Sequence, residues 1–395
     1  ELELSNDAAG TFDGNLLTAV DSAGGSVKYT YDKMNRLLTS EDSLGRITTR
    51  VYDDGGRLIE EIAADGSTTK RVYDDAGNLA KLIDANNVET VMTYDKRGLM
   101  LTHKDGNGSL TQYRYDELGN KIAEIDALNG VVTYTYDAAQ NLLCKTNQVN
   151  ASFFYEYDAL GQVVKTTDED GYVTLIEYDK MGNAVKTTAP DGSVNRSYYG
   201  KNGYLEKVES ADGLVTQYEN DPMGRVTREW DNAGNVKVNT YNQAGQLIRV
   251  TDALERTSEY KYDLHGNQTE FRDFNGDVYT YEYDTESRLI AETGPDGRRI
   301  EYGYDLRDNR TSMKDAEGNV WEYTYDKLSR KISEKNPLGQ VTSYGYDNVG
   351  NQILQIDAAG GENRWVYSAV NAVLDAFPSD LTVQTLTRTN LPPRI

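Results

Sequence analysis

The sequence is poor in the residues that usually carry chemistry. One cysteine, Cys144, stands in 395 residues, so no disulfide forms within the chain. With Leu142 and Leu143 before it, it reads as a small apolar side chain rather than a nucleophile. The two histidines, His103 and His265, are far apart with no cysteine near them. Neither a zinc site nor a Ser-His-Asp arrangement is indicated. No phosphate-cradling G-x-x-x-x-G-K-[ST] loop occurs, so no cofactor is expected. Positive charge is also short: 41 Lys and Arg against 64 Asp and Glu, a net −23. Nucleic-acid backbones and anionic membrane surfaces are therefore disfavoured partners. No apolar run exceeds three residues, which excludes a membrane-spanning helix and argues against membrane insertion. Hydrophobic residues make up 38% of the chain, against about 45–50% in typical globular domains. A set of conventional close-packed cores is not expected. No signal peptide is recognisable, and the first residue is Glu1 rather than Met, which reads as a fragment or a processed product.

What is abundant is tyrosine (30, against 6 Phe and 3 Trp) and glycine (35). Both fall on one period of 21 residues. Tyr31, Tyr52, Tyr73, Tyr94, Tyr115, Tyr136, Tyr157, Tyr178 and Tyr199 are followed by Asn220 in the same slot. Tyr241, Tyr262, Tyr283, Tyr304, Tyr325, Tyr346 and Tyr367 continue it without insertion or deletion. The next slot holds Asp32, Asp53, Asp74, Asp95, Asp116, Asp137, Asp158, Asp179, Asp221, Asp263, Asp284, Asp305, Asp326 and Asp347, with Gly200, Asn242 and Ser368 as exceptions. Glycine recurs four residues after the tyrosine, as in Gly56 and Gly77, and again fourteen after it, as in Gly45. An aromatic often precedes the tyrosine by two, as in Tyr29, Tyr113, Tyr281 and Trp365.

Each slot has a physical task. An aspartate opening a turn bonds backbone N–H groups two residues on, and glycine supplies the positive φ that closes it. The D-x-x-G stretches from Asp32 and from Asp42 therefore read as two successive turns. Between them, Leu37–Glu41 and Ile47–Tyr52 have strand length and strand chemistry. One repeat is a β-hairpin. Residues two apart on a strand share a face, so the paired aromatics form columns along the sheet, with Leu or Ile between them. Cross-strand pairs of that kind contribute about 0.2–1 kcal/mol each. The predicted fold is all-β: tandem 21-residue hairpins in one long, curved or spiralling antiparallel sheet. About 34 strands at roughly 4.8 Å each give about 160 Å of ribbon, and open sheets rarely pass about ten strands without curling. The array is assigned to residues 1–374, about 17 repeats with a degenerate first unit in which Gly10 takes the tyrosine slot. Residues 375–395, with Pro378, Pro392 and Pro393, are assigned as a non-repeat tail.

The signature Y-D-x-x-G-x-L, seen in YDDGGRL (52–58), YDDAGNL (73–79) and YDAAQNL (136–142), resembles the Rhs/YD-repeat family. That family takes in bacterial Rhs polymorphic toxins, shell components of insecticidal toxin complexes, and teneurins. The resemblance implies part or whole of a hollow shell, enclosing a polymorphic effector in the toxin members. Fuller members close their repeats with an aspartic autoprotease core. Asp221-Pro222-Met223-Gly224 has a faintly similar look but falls in the repeat frame, so no core and no effector domain are recognised.

Catalytic, metal and cofactor residues are accordingly assigned as none. Asp168-Glu169-Asp170-Gly171 and Asp105-Gly106-Asn107-Gly108 echo pieces of a calcium loop but lack its closing glutamate. The leading expectation is a non-enzymatic shell or scaffold segment of a secreted or cell-surface bacterial protein. Its partners would be the rest of a larger Rhs-type chain or an enclosed effector. The alternative is an adhesion module that binds a glycan or a cell surface through exposed tyrosine ladders. Unpaired strands at the two ends leave end-to-end self-association open.

Overall fold

The 21-residue frame folds as two strands and two turns. A six-residue strand ends on the tyrosine, as in Ser26–Tyr31, and a five-residue strand follows, as in Leu37–Glu41. Five-residue turns join them. In a computed structural model of the protein, which describes residues 2–6, 12–20 and 26–377, this unit recurs to give 36 strands. We number them in chain order, from β1 (Leu2–Asn6), β2 (Phe12–Val20) and β3 (Ser26–Tyr31) to β35 (Glu362–Tyr367) and β36 (Val373–Phe377). Every strand pairs antiparallel with the next, so the described chain is one continuous meander. Gly10, Asp21 and Gly24, which carry the degenerate first unit, lie outside the described residues. β36 runs three residues past the expected array boundary at 374, and most of the expected tail lies outside the described part.

All the turns between residues 31 and 373 share one geometry. The residue opening each turn donates its N–H to the carbonyl four residues on and accepts from the N–H three residues on, as Asp53 does with Arg57 and Gly56 at 3.0 Å each. That closing residue has positive φ throughout. It is usually glycine, for which the left-handed region carries no Cβ penalty. Asn35, Asn87, Gln140, Glu255, Ser287 and Asp308 hold the same conformation without that freedom.

The two kinds of turn differ in register. At the turns that follow a tyrosine the ladder slips by one residue: Thr30 faces Thr39, but Tyr31 faces Leu37. The slip recurs at each such turn, for example beside Tyr157 and Tyr346. At the opposite turns there is none, as between Glu41 and Ile47. A bulge bends its strand and raises the local twist. Bulges confined to one edge of the ribbon therefore coil it steadily in one sense.

The coil closes on itself. Asn86 reaches Asp326, and Asn107 reaches Asp347, each 240 residues apart in sequence. At 21 residues per repeat, one circuit takes between eleven and twelve repeats, or about 23 strands. At about 4.8 Å per strand the perimeter is roughly 110 Å, and the ring is about 35 Å across before strand tilt widens it. The accessible surface is 24725 Å², whereas a compact protein of 44.1 kDa exposes about 15,500 Å². Buried apolar side chains are few among the described residues: Ala85, Met92, Ala123, Val250, Ala291 and Tyr323. The molecule is a single-layer wall, not a filled body.

The strained turn positions give a direct test. Gln140→Gly should stabilise its turn by about 1 kcal/mol by removing the left-handed penalty, seen as slower amide exchange over residues 137–141. Gly213, with φ of 88° and open space where a Cβ would stand, isolates the backbone cost. Gly213→Val should speed exchange around it by a similar free energy.

Candidate functional site

With no filled interior, the signature residues are the natural place to look for a site. The tyrosines end their strands half-buried, and their hydroxyls have one common partner. Tyr52 donates to the carbonyl of Leu37, fifteen residues earlier, at 2.8 Å. Tyr73, Tyr94, Tyr115, Tyr136, Tyr157 and Tyr178 repeat the bond. So do Tyr241, Tyr262, Tyr283, Tyr304, Tyr325, Tyr346 and Tyr367. Distances span 2.7 Å to 3.1 Å. Asn220, the one break in the tyrosine series, donates its amide to Leu205 at 2.8 Å and preserves the link. Each hydroxyl thus ties one hairpin to the strand that opens from the turn before it.

The aspartates are equally committed. Asp158 accepts from the N–H groups of Leu160 and Gln162 at 2.8 Å and 3.0 Å. Asp32, Asp53, Asp74, Asp95, Asp116, Asp137 and Asp179 likewise accept from the N–H four residues on. Asp263, Asp284, Asp305, Asp326 and Asp347 do the same. Where the opposite turn opens on Ala63, Ala189, Ser210 or Gly294, an aspartate two residues later takes over. Asp65, Asp191, Asp212 and Asp296 accept from the N–H of Ser67, Ser193, Leu214 and Arg298.

One slot was missed in the sequence. The residue five after the tyrosine is Arg, Asn or Gln in most repeats, as in Arg36, Asn78 and Gln162. Where it is arginine or asparagine, its side chain bonds the second oxygen of the turn aspartate, as in Arg36 to Asp32 at 2.6 Å and Asn78 to Asp74 at 3.0 Å; Gln162 donates to the Gly182 carbonyl instead. The arginines reach further. Arg36, Arg57, Arg288 and Arg330 donate to the carbonyl of Asp53, Asp74, Asp305 and Asp347 in the next repeat. They also lie over the next tyrosine ring, 4.8 to 5.1 Å from its centre. Where Leu99 occupies the slot, Arg97 bonds Asp95 and the carbonyl of Asp116 instead. The signal was present as a recurring polar choice, but the shorthand Y-D-x-x-G-x-L treats the slot as free.

These bonds set the charge states. At Asp137 the Asn141 amide and N–H hold the carboxyl below its ordinary value. At Asp326 burial pushes the carboxyl up, but the N–H and guanidinium of Arg330 outweigh it and the net shift is downward. Burial, then the bond to Glu292, pushes Tyr302 up to about 12. No tyrosinate forms near neutral pH there. Among the described residues no three His, Cys, Asp or Glu side chains gather as metal ligands, and no helix is long and apolar enough to cross a membrane. Cys144 is half-buried, 3.7 Å from Thr146 Oγ1. Three clefts open where the coil meets itself: one of about 570 Å³ beside Asn107 and Asp347, one of about 500 Å³ between Asn86, Gly106 and Asn348, and one of about 250 Å³ between Asp42, Arg46 and Leu306 to Asp308. Another, of about 530 Å³, lies along one edge between Gly318 and Gly339. The arrangement can brace a wall.

A family model described as Teneurin YD-shell matches residues 1–189, and one described as RHS Repeat matches 241–278 and 283–320. Among solved structures, the crystal structure of TcdB2-TccC3-TEV superposes with a TM-score of 0.77 at 16% identity, over 93% of this chain and 25% of that one. TcdB2-TccC3 gives 0.76 at 15%, over 96% and 25%. A Photorhabdus luminescens Tc holotoxin pore gives 0.57 at 17%, over 91% and 24%. This chain thus spans about a quarter of the structures it matches. No curated protein matches it.

Two measurements follow. Tyr157→Phe, which deletes only the bond to Leu142, should cost about 1 kcal/mol locally, visible as faster amide exchange in the flanking strands. Turn aspartates such as Asp53, Asp137 and Asp326 have folded values below their unfolded ones, so their stabilisation is complete above the unfolded value and is lost as pH falls through the folded one. The thermal midpoint should stay level from about pH 7 to 5 and decline below about pH 4.

Proposed function

This chain is an array of Rhs/YD-type repeats, and from that premise we propose that it is a stretch of non-catalytic wall in a larger secreted or cell-surface shell. Its work is to enclose: the partners are the rest of a longer Rhs-type chain and an effector held in the lumen. The observation that carries this reading is closure. A ribbon one sheet thick returns to meet itself after about 23 strands, leaving a hollow about 35 Å across at the backbone. The signature residues are engaged in maintaining that ribbon, which leaves the wall itself as the product of the sequence.

The adhesion reading has less support. A glycan platform needs open aromatic faces, and most tyrosines here are half-buried, the strand-end ones with hydroxyls bound to the backbone. Tyr172 and Tyr198 are the exposed tyrosines among the described residues, and Tyr198 already bonds Glu209 and lies over Lys207. End-to-end association through the outermost strands belongs to the same proposal, since an unpaired strand edge templates another.

Negative-stain images should show rings with a low-density centre. Solution scattering should show the form-factor minimum of a hollow particle. Filled discs of even density would overturn the wall reading, and glycan-array binding lost in Tyr172→Ala would favour adhesion instead.

A further inference from the structure

Two different kinds of bond hold this wall. Along the ribbon, each strand is joined to the next by a backbone ladder, braced by the tyrosine and aspartate bonds. Across the ribbon's edges, where one circuit of the coil lies on the next, no backbone ladder forms. There, opposite turns of the early repeats meet tyrosine turns of the late ones through polar side-chain bonds. Arg46 is the centre of one half of this seam. It bonds Asp42 in its own turn at 2.5 Å, then crosses to Asp308 at 2.5 Å, to the Leu306 carbonyl at 3.3 Å and towards Glu286 at 3.7 Å. The Ser43 N–H donates to Glu286 at 3.2 Å. One repeat further, Arg307 pairs with Asp65 at 2.9 Å and donates to the carbonyls of Asp326 and Lys327.

The other half is built from amides. Asn86 donates to Asp326 at 3.2 Å and Asn107 to Asp347 at 2.9 Å. Asn348 returns two bonds, its N–H to Asn107 at 3.1 Å and its side chain to the Gly106 carbonyl at 2.9 Å. The ionic half has an imbalance of charge. Arg46, Arg288 and Arg307 face Asp42, Asp65, Asp284, Glu286, Asp305 and Asp308 within it. The arginines hold apart carboxylates that otherwise repel across the joint. Arg46 is the shielded one, its side chain 12% exposed, while Asp308 is 53% exposed.

We propose that this seam is a separable joint: it opens along the line from Arg46–Asp308 to Asn107–Asp347 while the strand ladder on either side stays paired. The physical reason is the contrast in bonding. The seam's ion pairs are part-exposed, as at Asp308 and Asp65, and weaken in part as salt shortens the screening length to about 3 Å at 1 M, whereas backbone ladders do not depend on that screening. The wall therefore parts at the seam before it melts. The inference rests on the wall reading for its setting, but it concerns one joint rather than the enclosure.

Spin labels on the two sides test it in the full chain carrying Cys144→Ser. Leu44→Cys and Leu306→Cys place labels on exposed turn tips across the ionic half. Leu118→Cys and Leu160→Cys place a control pair on one edge, two repeats apart along the ladder. At low salt the seam pair should show one short distance. Raising sodium chloride to 1 M should increase the open, longer-distance fraction about fivefold, with the control pair and the far-ultraviolet strand spectrum unchanged. Arg46→Gln should raise the open fraction at low salt in the same way. A seam distance that holds until the strand spectrum is lost would overturn the proposal, as would a seam pair that is long and broad at low salt. In either case ring-shaped images would leave the wall reading standing; filled particles would remove it independently of the labels.

Discussion

A sheet one layer thick has no opposing layer against which to bury its apolar face. Its side chains must be held by neighbours within the same ribbon, and this constraint organises the rest of the molecule. It accounts for tyrosine in place of phenylalanine or leucine at the strand ends. A ring that stays half-buried gains only part of the usual apolar stabilisation, while its hydroxyl adds a directional bond. Here that bond runs to the carbonyl fifteen residues back, so tyrosines such as Tyr52 and Tyr367 fasten one repeat to the one before. The Asn220 amide makes the same bond without a ring, which separates the two roles: at that position the directional link is retained and the apolar surface is not.

The turns answer the same constraint at the edges. No second layer covers the turns, and away from the seam each must be held by its own bonds and those to the next repeat. The aspartate supplies two or more acceptors for N–H groups that water would otherwise compete for. Where the opening aspartate is replaced by Ala63 or Ala189, another appears two residues on, at Asp65 and Asp191, and restores one of those bonds. Curvature comes from an asymmetry between the edges. Both sets of turns share one hydrogen-bond pattern, yet the register slip occurs only beside the tyrosines. Strands of unequal length within a 21-residue unit require such a slip at one edge, so the odd period and the coil have one cause.

Much of this was legible in the sequence. The period, the two turns per repeat, the all-β class and the winding follow from Tyr31 to Tyr367 and from glycine spacing alone. The strict frame repeats each local preference along the whole array, which makes weak signals additive. What was not legible falls into two groups. The Arg, Asn or Gln slot after the glycine was visible but chemically mixed: arginine and asparagine share one task, donation to the second aspartate oxygen, while Gln162 donates to the Gly182 carbonyl instead. A consensus that counts identities misses a shared function. The seam was invisible for a stronger reason. Arg46 and Asp308 are far apart in sequence and occupy different slots, and their meeting depends on the number of repeats in one circuit. That number is set by small bends summed over about 23 strands, which no single repeat encodes.

This leads to a hierarchy of strength within the wall. A linear repeat array gains its stability from nearest-neighbour terms, so its energy grows in proportion to length and no distant contact is needed to keep it folded. A coil that meets itself adds a second class of contact, between repeats eleven or twelve apart, and these contacts begin only after the first circuit is complete. They arrive late in sequence and rest on side chains such as Arg46, Asn107 and Asn348 rather than on backbone pairing. The ladder therefore determines that there is a ribbon, and the seam determines that the ribbon is a closed wall. A sequence change within a repeat acts on the first property. A change of charge at a turn tip acts on the second while leaving the repeat signature intact. Two arrays with equally regular tyrosine frames can thus differ in whether they enclose a space, and the difference lies in the turn-tip positions that the consensus leaves unassigned.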